Sequence, residues 1–441
     1  MHDWTRETEY VAAWKAVEAE LRRAIHQGPL APAGNRVVVA MSGGVDSSVA
    51  AALLVTAGFE VIGITLQLWP DWLPPDHEGG CCSLGAVEDA RRVATRLGIP
   101  YYVINMGEAF EEAVIRPFAR AYLAGRTPNP CLICNRDIKF GALLEKARQL
   151  GADYVASGHY ARVMYDHRRE RYMLRQGFDQ RKDQSYALYQ LAQDQLAHTL
   201  TPLGVLDKAV TRAIATRLGL VTARKPESQE ICFVPDNDYR RFLREYTGLK
   251  ENPGPIVDRE GRVLGTHKGV AFYTVGQRHG LGLSGSQPYY VLEVDAEANR
   301  LVVGGREEGL REKLLATEVN LISRTAVPAA GLKVEAKIRY RVPQAGAEII
   351  PHPTDPALVW TRFASPQWAV TPGQSVVWYE KADDGAGADR YDVVVGGGVI
   401  ATRARERASQ EAEAVGPSAR PQGHGLEPDP CARSGCRLDL N

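Results

Sequence analysis

Long apolar runs are missing from this 441-residue chain. None approaches the roughly 18 residues that a membrane-spanning helix requires. The first seven residues also lack the basic-then-apolar order of a secretory leader. An excess of charge is missing as well: 53 Lys and Arg face 53 Asp and Glu. That balance argues against indiscriminate binding of nucleic acid, while leaving room for a local basic surface. Cysteine is scarce, with seven residues and no spacing of a secreted disulfide framework. A reducing cytoplasm is therefore expected, where cysteines serve as catalysts or ligands. Two familiar phosphate signatures are absent too. There is no G-x-x-x-x-G-K-[ST] run, and no G-x-G-x-x-G follows the first strand. Internal repeats are not found. What remains is a soluble globular composition, 44% hydrophobic and 24% charged, long enough for two or three domains.

Against that background one stretch stands out. Residues 42–48 read Ser-Gly-Gly-Val-Asp-Ser-Ser, between the β-branched run 36–41 and the helix-forming run 49–55. A strand-to-helix turn with two glycines and three serines suits an anion. Gly43 and Gly44 let backbone N–H groups approach it, and the helix N-terminus adds partial positive charge. Ser42, Ser47 and Ser48 supply hydroxyls, and Asp46 is a candidate ligand for Mg2+ beside the phosphates. The pattern resembles the pyrophosphate loop of ATP pyrophosphatases, which cleave ATP between the α and β phosphates and adenylate a substrate.

The surrounding pattern predicts an α/β fold. Residues 1–35 form an extension whose Trp14, Val17, Leu21 and Ile25 share one helical face, as a docking helix would. Strands at 36–41, 61–66, 101–105 and 154–157 alternate with helices, one of them capped by Ser83 and stopped by Gly98. This rhythm implies a parallel sheet over 36–200, with ligands at the carboxyl ends of its strands. A central domain is expected at 201–310 and a C-terminal β domain, a small barrel or sandwich, at 311–403, from short strands such as 271–275, 289–294, 301–303, 334–341 and 375–379. Residues 404–441 are polar and read as a disordered tail.

A second stretch, residues 125–140, carries Cys131 and Cys134 behind Pro128, Asn129 and Pro130. The prolines predict a rigid extended loop, with a helix from about Arg136. Thiols near Arg126, Arg136 and a helix start are expected to be thiolate-rich. A structural zinc site needs a second pair of ligands. Cys81 and Cys82 are adjacent, and Cys431 and Cys436 fall in the tail, so neither forms that pair cleanly. Cys232, flanked by Ile231 and Phe233, reads on its own as a small buried hydrophobe.

Eight stretches in order, SGGVDSSVAA, AGRTPNPCLICNRDIKF, ADYVASGHYAR, KDQSYALY, SQEICF, YTVGQRHGLG, KIRYR and TPGQSVVWY, closely resemble the tRNA-specific 2-thiouridylase family. The resemblance covers about residues 36–403 and implies that the C-terminal β domain is a β-barrel. It implies ATP-dependent 2-thiolation of the wobble uridine of tRNA, with ATP and Mg2+ as cofactors. It also implies a sulfur-carrier protein or cysteine desulfurase as sulfur source, and no membrane. On the matched positions, Cys134 is the nucleophile and Cys232 carries a persulfide, in a segment 224–235 that returns to the active site. Ala40, Met41, Ser42, Gly43, Gly44, Val45, Asp46, Ser47, Leu66 and Gly158 would contact ATP. Asn129, Pro130 and Cys131 would touch the target base. His159, Lys182, Asp183, Gln184, Arg339, Tyr340 and Gln374 would contact tRNA, beside a basic surface at 162–182.

One position departs from the family pattern. Many relatives carry an acidic residue where this chain has Cys131. Three thiols, at 131, 134 and 232, are compatible with a [4Fe–4S] cluster that binds sulfide. The persulfide route remains the main expectation. The other enzyme class open to the loop is a synthetase-type adenylating pyrophosphatase, which needs no sulfur-carrying cysteine.

Overall fold

The structure, a computed structural model, describes residues 5, 7, 10–70, 83–226, 231–234, 236–285, 287–381 and 392–415. Cys81, Cys82, Cys431 and Cys436 lie outside the described residues.

Strands β1 (Arg36–Ala40), β2 (Glu60–Gln67), β3 (Tyr101–Asn105) and β4 (Tyr154–Ala156) are followed by a hairpin, β5 (Ala161–Asp166) and β6 (Arg171–Gln176), and by β7 (Thr199–Leu200). The first sheet has the order β3-β2-β1-β4-β7, and its pairs are all parallel. Side-chain alternation sends Val38 into one layer with Ile64 and Val155. Val37 and Val39 enter the other, with Tyr154 and Ala156. A parallel sheet covered on both faces buries consecutive positions, hence the unbroken valine run. Helices Val45–Thr56, Leu84–Leu97 and Lys208–Arg217 cover one face. A helical stretch from residue 107 to 149 covers the other. The predicted stops hold: Ser83 Oγ accepts from Ala86 N at 3.3 Å, and Gly98 ends that helix at φ 69°. Such a serine cap contributes about 1 kcal/mol.

Residues 201–222, grouped by pattern with the central domain, belong to this first core. Leu203, Leu206, Ile214, Leu218 and Leu220 are buried with helix Val45–Thr56. The change of composition near residue 195 marks the end of strand–helix alternation, not the end of the core.

The expected docking helix spans Val11–Ala24, with Val17 and Leu21 buried. Its Glu20 pairs with Arg162 of β5 at 3.2 Å, each side chain 4% exposed.

Strands β8 (Gly254–Val257), β9 (Val263–His267), β10 (Tyr290–Asp295) and β11 (Arg300–Gly304) form a second sheet, ordered β10-β11-β8-β9. The strand expected at 271–275 is instead a single 3-10 turn, Val270–Phe272. Val270, Ala271, Phe272 and Tyr273 are all buried, a continuous run that a turn inside a small core accommodates and an alternating strand does not. Strands β12 (Leu310–Leu321), β13 (Leu332–Lys337), β14 (Ala345–Pro351), β15 (Val359–Trp368), β16 (Ser375–Glu380) and β17 (Val393–Ile400) follow. They close into a six-stranded barrel because β12 pairs with both β15 and β17. The β5–β6 hairpin joins the edge of β17 through Val393 and Arg175.

The disordered tail expected from residue 404 is corrected for its first part, since a helix spans Arg403–Val415. Glu406 is buried, accepts from Leu315 N at 3.2 Å and pairs with Arg311 at 2.5 Å. Arg407 reaches Glu293 at 3.3 Å. Its polar residues face charged partners, so polarity here signals pairing and not solvation. Residues 416–441 lie outside the described residues. Among the described residues no helix is long and apolar enough to cross a membrane.

Replacing Glu20 by Ala removes a buried carboxylate partner of Arg162, at a cost on the order of 3 kcal/mol. A urea titration is expected to show a lower midpoint, and the double variant Glu20→Leu/Arg162→Met is expected to recover most of it. An unchanged midpoint in Glu20→Ala would show that the pair does not hold the helix.

Candidate active site

Strand order reverses at β1, with β2 on one side and β4 on the other. In such sheets a crevice opens beyond the carboxyl ends of the two strands that part. A cavity of about 200 Å³ lies there. Ala40, Met41, Ser42, Asp46 and Ser47 line it from β1 and the loop after it, Leu66 from β2, and Ser157, Gly158 and His159 from the end of β4. The sequence-predicted ATP residues therefore meet at one place, except that Gly43, Gly44 and Val45 shape the loop without lining the cavity.

The loop is organised from within. Ser47 Oγ accepts from Ser42 N at 3.1 Å and donates to Gly44 O at 3.2 Å, and Ser48 Oγ donates to Gly44 O at 2.8 Å. Gly44 is the N-cap of helix Val45–Thr56 and offers no side chain to cap it. The first N–H groups of that helix are left for an anion. Gly43 has φ 64°, and a Cβ there would strike Ala86 O. Gly158 sits against the loop, where a Cβ would lie 2.7 Å from the backbone of Asp46 and Ser47.

Asp46 is paired within the protein. Lys208 Nζ donates to its two oxygens at 2.6 and 2.7 Å, and Tyr160 Oη donates at 2.8 Å. Tyr160 also reaches Thr211 at 3.0 Å. Among the described residues no group of three His, Cys, Asp or Glu side chains can hold a metal ion. The thiols of Cys131, Cys134 and Cys232 do not form a donor set for a [4Fe–4S] cluster. The physical reason is placement: Cys131 is exposed while Cys134 is turned into the core.

Asn129 and Pro130 start a helix rather than an extended loop. Asn129 Oδ1 accepts from Cys131 N at 3.2 Å as N-cap, and Pro130 takes the first turn of Pro130–Ile133. The helix then widens into a π-helical run, Cys134–Ala142. Gln195 Nε2 supports it by donating to Arg136 O at 2.7 Å and Phe140 O at 2.9 Å. With i→i+5 pairing, Lys139 follows Cys134 by one π turn. Lys139 lines the cavity and donates to Asn135 Oδ1 at 3.0 Å. Asn135 is itself fixed by Ala187 O at 2.9 Å. Cys134 is buried in the layer against which Ile231 and half-buried Cys232 pack. Phe233 anchors that segment among Phe110, Phe118 and Phe242.

His159 lies beside this cation. Its Nδ1 is 2.7 Å from Ser157 Oγ. Enclosure by the protein, helped by the Lys139 charge, pushes its pKa down to about 3. Gln184 faces the same cavity and accepts from Tyr160 N at 3.0 Å.

The expected tRNA contacts divide. Lys182 is half-buried, and Tyr340 is 37% exposed. Asp183 is buried and accepts from Gly177 N, Ser185 N and Ser185 Oγ at 2.9–3.1 Å. Burial raises its pKa. Its carboxylate organises a turn with Gly177 and Ser185. Arg339 Nη2 donates to Ala369 O at 2.9 Å and to Val275 O at 3.3 Å, tying the barrel to the central domain. Gln374 Nε2 donates to Thr127 O at 2.9 Å and so clamps the loop before Asn129. In both, one side-chain nitrogen is engaged by protein carbonyls. Sequence reading missed Lys139, Ser157, Tyr160 and Lys208. Lys139 was inside a quoted stretch, but α-helical spacing from Cys134 points to Ile138, and nothing local signals a π turn.

Two outcomes test this geometry. Gly158→Ala is expected to weaken ATP binding at least tenfold by calorimetry and also to lower the melting temperature, because its Cβ meets the backbone of Asp46 and Ser47. His159 is held neutral when folded, so the stability tied to it is present above its unfolded pKa, about 6.5, and is lost as pH falls toward 3. His159→Gln is expected to flatten the stability curve of the ATP-free protein across that window; a curve parallel to wild type would refute the neutral histidine.

Comparison with known proteins agrees with the architecture. Three family models match in succession: a tRNA methyl transferase HUP domain over residues 35–236, a tRNA methyl transferase PRC-barrel domain over 240–305, and an aminomethyltransferase beta-barrel domain over 311–400. The tRNA-specific 2-thiouridylase MnmA of Heliobacterium modesticaldum is 54% identical over 365 residues, 82% of this chain and 92% of that one. The proteins of the same name from Moorella thermoacetica and Acetivibrio thermocellus are 54% and 51% identical, covering 98% and 99% of their lengths and 82% and 83% of this chain. Identity of this extent, over 92% or more of each relative's length, means that the chain belongs to the tRNA-specific 2-thiouridylase family.

Proposed function

We propose that this chain is a tRNA-uridine 2-sulfurtransferase that uses ATP and a cysteine-borne sulfur to convert the wobble uridine of tRNA to 2-thiouridine. One observation carries the reading. The Ser42–Ser48 loop and the helical run that begins at Cys134 share a single cavity, joined through Lys139. Methyl transfer, named in two of the family descriptions, breaks no phosphoanhydride and would leave that loop without a task. A synthetase that amidates a small acid would leave Cys134 and Cys232 without one.

The uridine C2 oxygen is a poor leaving group. Its attack on the α-phosphorus of ATP expels pyrophosphate, and loss of the N3 proton leaves an O2-adenylated base. The open N–H groups of helix Val45–Thr56 and the Lys139 ammonium suit the charge on the phosphates. ATP brings Mg2+ on its own phosphate oxygens. The base must leave its stack to reach the site, and on this reading Asn129, Pro130 and Cys131 receive it.

Sulfur arrives as a Cys232 persulfide, loaded by a cysteine desulfurase or a sulfur-carrier protein. Cys134 thiolate attacks the inner sulfur of that persulfide and releases sulfide, which displaces AMP from C2. Alternatively the terminal sulfur attacks C2 first, AMP leaves, and Cys134 then cleaves the S–S bond. Either order leaves a Cys134–Cys232 disulfide, which an external dithiol reduces. ATP, tRNA and reducible thiols together point to the cytoplasm.

The purified enzyme, given ATP, a persulfide donor and tRNA, is expected to release pyrophosphate only with tRNA and to yield 2-thiouridine by mass spectrometry. Cys134→Ser and Cys232→Ser are each expected to lower product at least a hundredfold with ATP affinity within twofold of wild type. Unaffected turnover in either variant would refute the thiol mechanism.

A further inference from the structure

Two helices tie the Ser42–Ser48 loop to one lysine. The first is Lys208–Arg217. At its start Lys208 Nζ donates to both oxygens of Asp46 at 2.6 and 2.7 Å. Four residues on, Arg212 Nη1 donates to Ala223 O at 3.0 Å and to Lys225 O at 3.2 Å. Residues at that spacing share one helical face. The second helix is Leu84–Leu97. Its first turn lies so close to the loop that a Cβ on Gly43 would strike Ala86 O. Three residues on, Asp89 Oδ2 accepts from Lys225 Nζ at 2.6 Å.

Lys225 is thus held at both ends, its carbonyl by one helix and its ammonium by the other. Each of those helices touches the loop one turn away from its grip on Lys225. The ion pair is partly sheltered, with side chains 34% and 28% exposed, so salt screens it less than a fully solvated pair.

Lys225 also opens the segment that bears Cys232. Phe233 closes that segment among Phe110, Phe118 and Phe242, in the layer that buries Cys134. The far end is therefore fixed relative to Cys134, and the near end relative to the loop. We propose that Lys225 is a positioning residue that couples occupancy of the loop by a nucleotide to the approach of Cys232 toward Cys134. The inference rests on the ATP and thiol reading above. Phosphates on the loop N–H groups hold Gly43 and Asp46, both helices then hold Lys225, and Cys232 meets Cys134 more often. A nucleotide shifts this balance only by binding one arrangement more tightly than the other, so the coupling is measurable as a ratio.

Disulfide formation between Cys134 and Cys232 reads the approach without tRNA or turnover. Diamide takes two electrons and two protons from the two thiols and becomes the hydrazine, and mass spectrometry counts the linked peptides. Saturating α,β-methylene-ATP with Mg2+ fills the loop without being adenylated onto a substrate. In wild type it is expected to speed linking about fivefold or more, the lower end of allosteric couplings. Lys225→Met keeps the carbonyl held by Arg212 and loses the ammonium. It is expected to bring the ratio of rates with and without nucleotide to within about twofold, as is Asp89→Asn, while Lys225→Arg keeps the charge and is expected to retain most of the wild-type ratio. A merely structural part would slow both rates together and leave their ratio unchanged. If Lys225→Met folds poorly, Asp89→Asn carries the test. A wild-type ratio within twofold, or an undiminished ratio in Asp89→Asn, would overturn the coupling. Thiolation of tRNA, measured alongside, reports separately on the function: product without a nucleotide effect on linking sinks this inference alone, and a nucleotide effect without product sinks the thiolation reading alone.

Discussion

The whole site depends on how closely the end of β4 approaches the loop after β1. Gly158 lies so near the backbone of Asp46 and Ser47 that a single methyl would be 2.7 Å from it. Only a residue without a side chain permits that contact, and the contact sets the width of the crevice at the strand-order reversal. The N-terminus of helix Val45–Thr56 then faces Ser157 and His159 across a gap scaled to phosphate groups. Everything placed later, including the thiol-bearing helix, is positioned relative to this gap.

Electrostatics inside the crevice follows from pairing rather than from the neutral total charge. Asp46 would repel a triphosphate if its charge stood alone, but Lys208 and Tyr160 donate to it. His159 is kept neutral by enclosure and by Lys139. Lys139 is held toward the cavity by Asn135, which is anchored in turn to Ala187 O. The field a nucleotide meets is therefore set by helix N–H groups and one oriented ammonium. Such preorganised charge needs no rearrangement when phosphate charge develops. The π-helical run matters here, because in an ordinary helix the residue one turn after Cys134 is buried Ile138.

The chain sequence made the nucleotide half of this arrangement legible. Its strands are β-branched, its turn glycines have no other use, and Ser83 and Gly98 bracket their helix as local rules require. The helix start at Asn129 was legible too, since asparagine followed by proline is a good N-terminal signature, yet flanking prolines suggested an extended loop. Other features depended on distant partners. Asp183 resembles a surface residue until Gly177 and Ser185 close around it. Helix Arg403–Val415 looks solvated until Arg311 and Glu293 supply its partners. The π turn needs Gln195, over fifty residues away, to support its carbonyls. Sequence patterns report local preference and layer assignment; they do not report which polar group a remote carbonyl will satisfy.

Contacts between domains explain why residues expected at the RNA surface are turned inward. Gln374 holds the carbonyl of Thr127, and Arg339 spans from the barrel to Val275 of the central domain. Both act on the segment that leads into Asn129 or on the frame around it. A base drawn from its stack needs a receiving loop that does not yield, because each flexible residue ordered on binding subtracts from affinity. Fixing that loop from the barrel side before RNA arrives lowers this cost. If that loop receives the target base, as proposed, the barrel acts on its binding through the stiffness of three residues between Thr127 and Cys131.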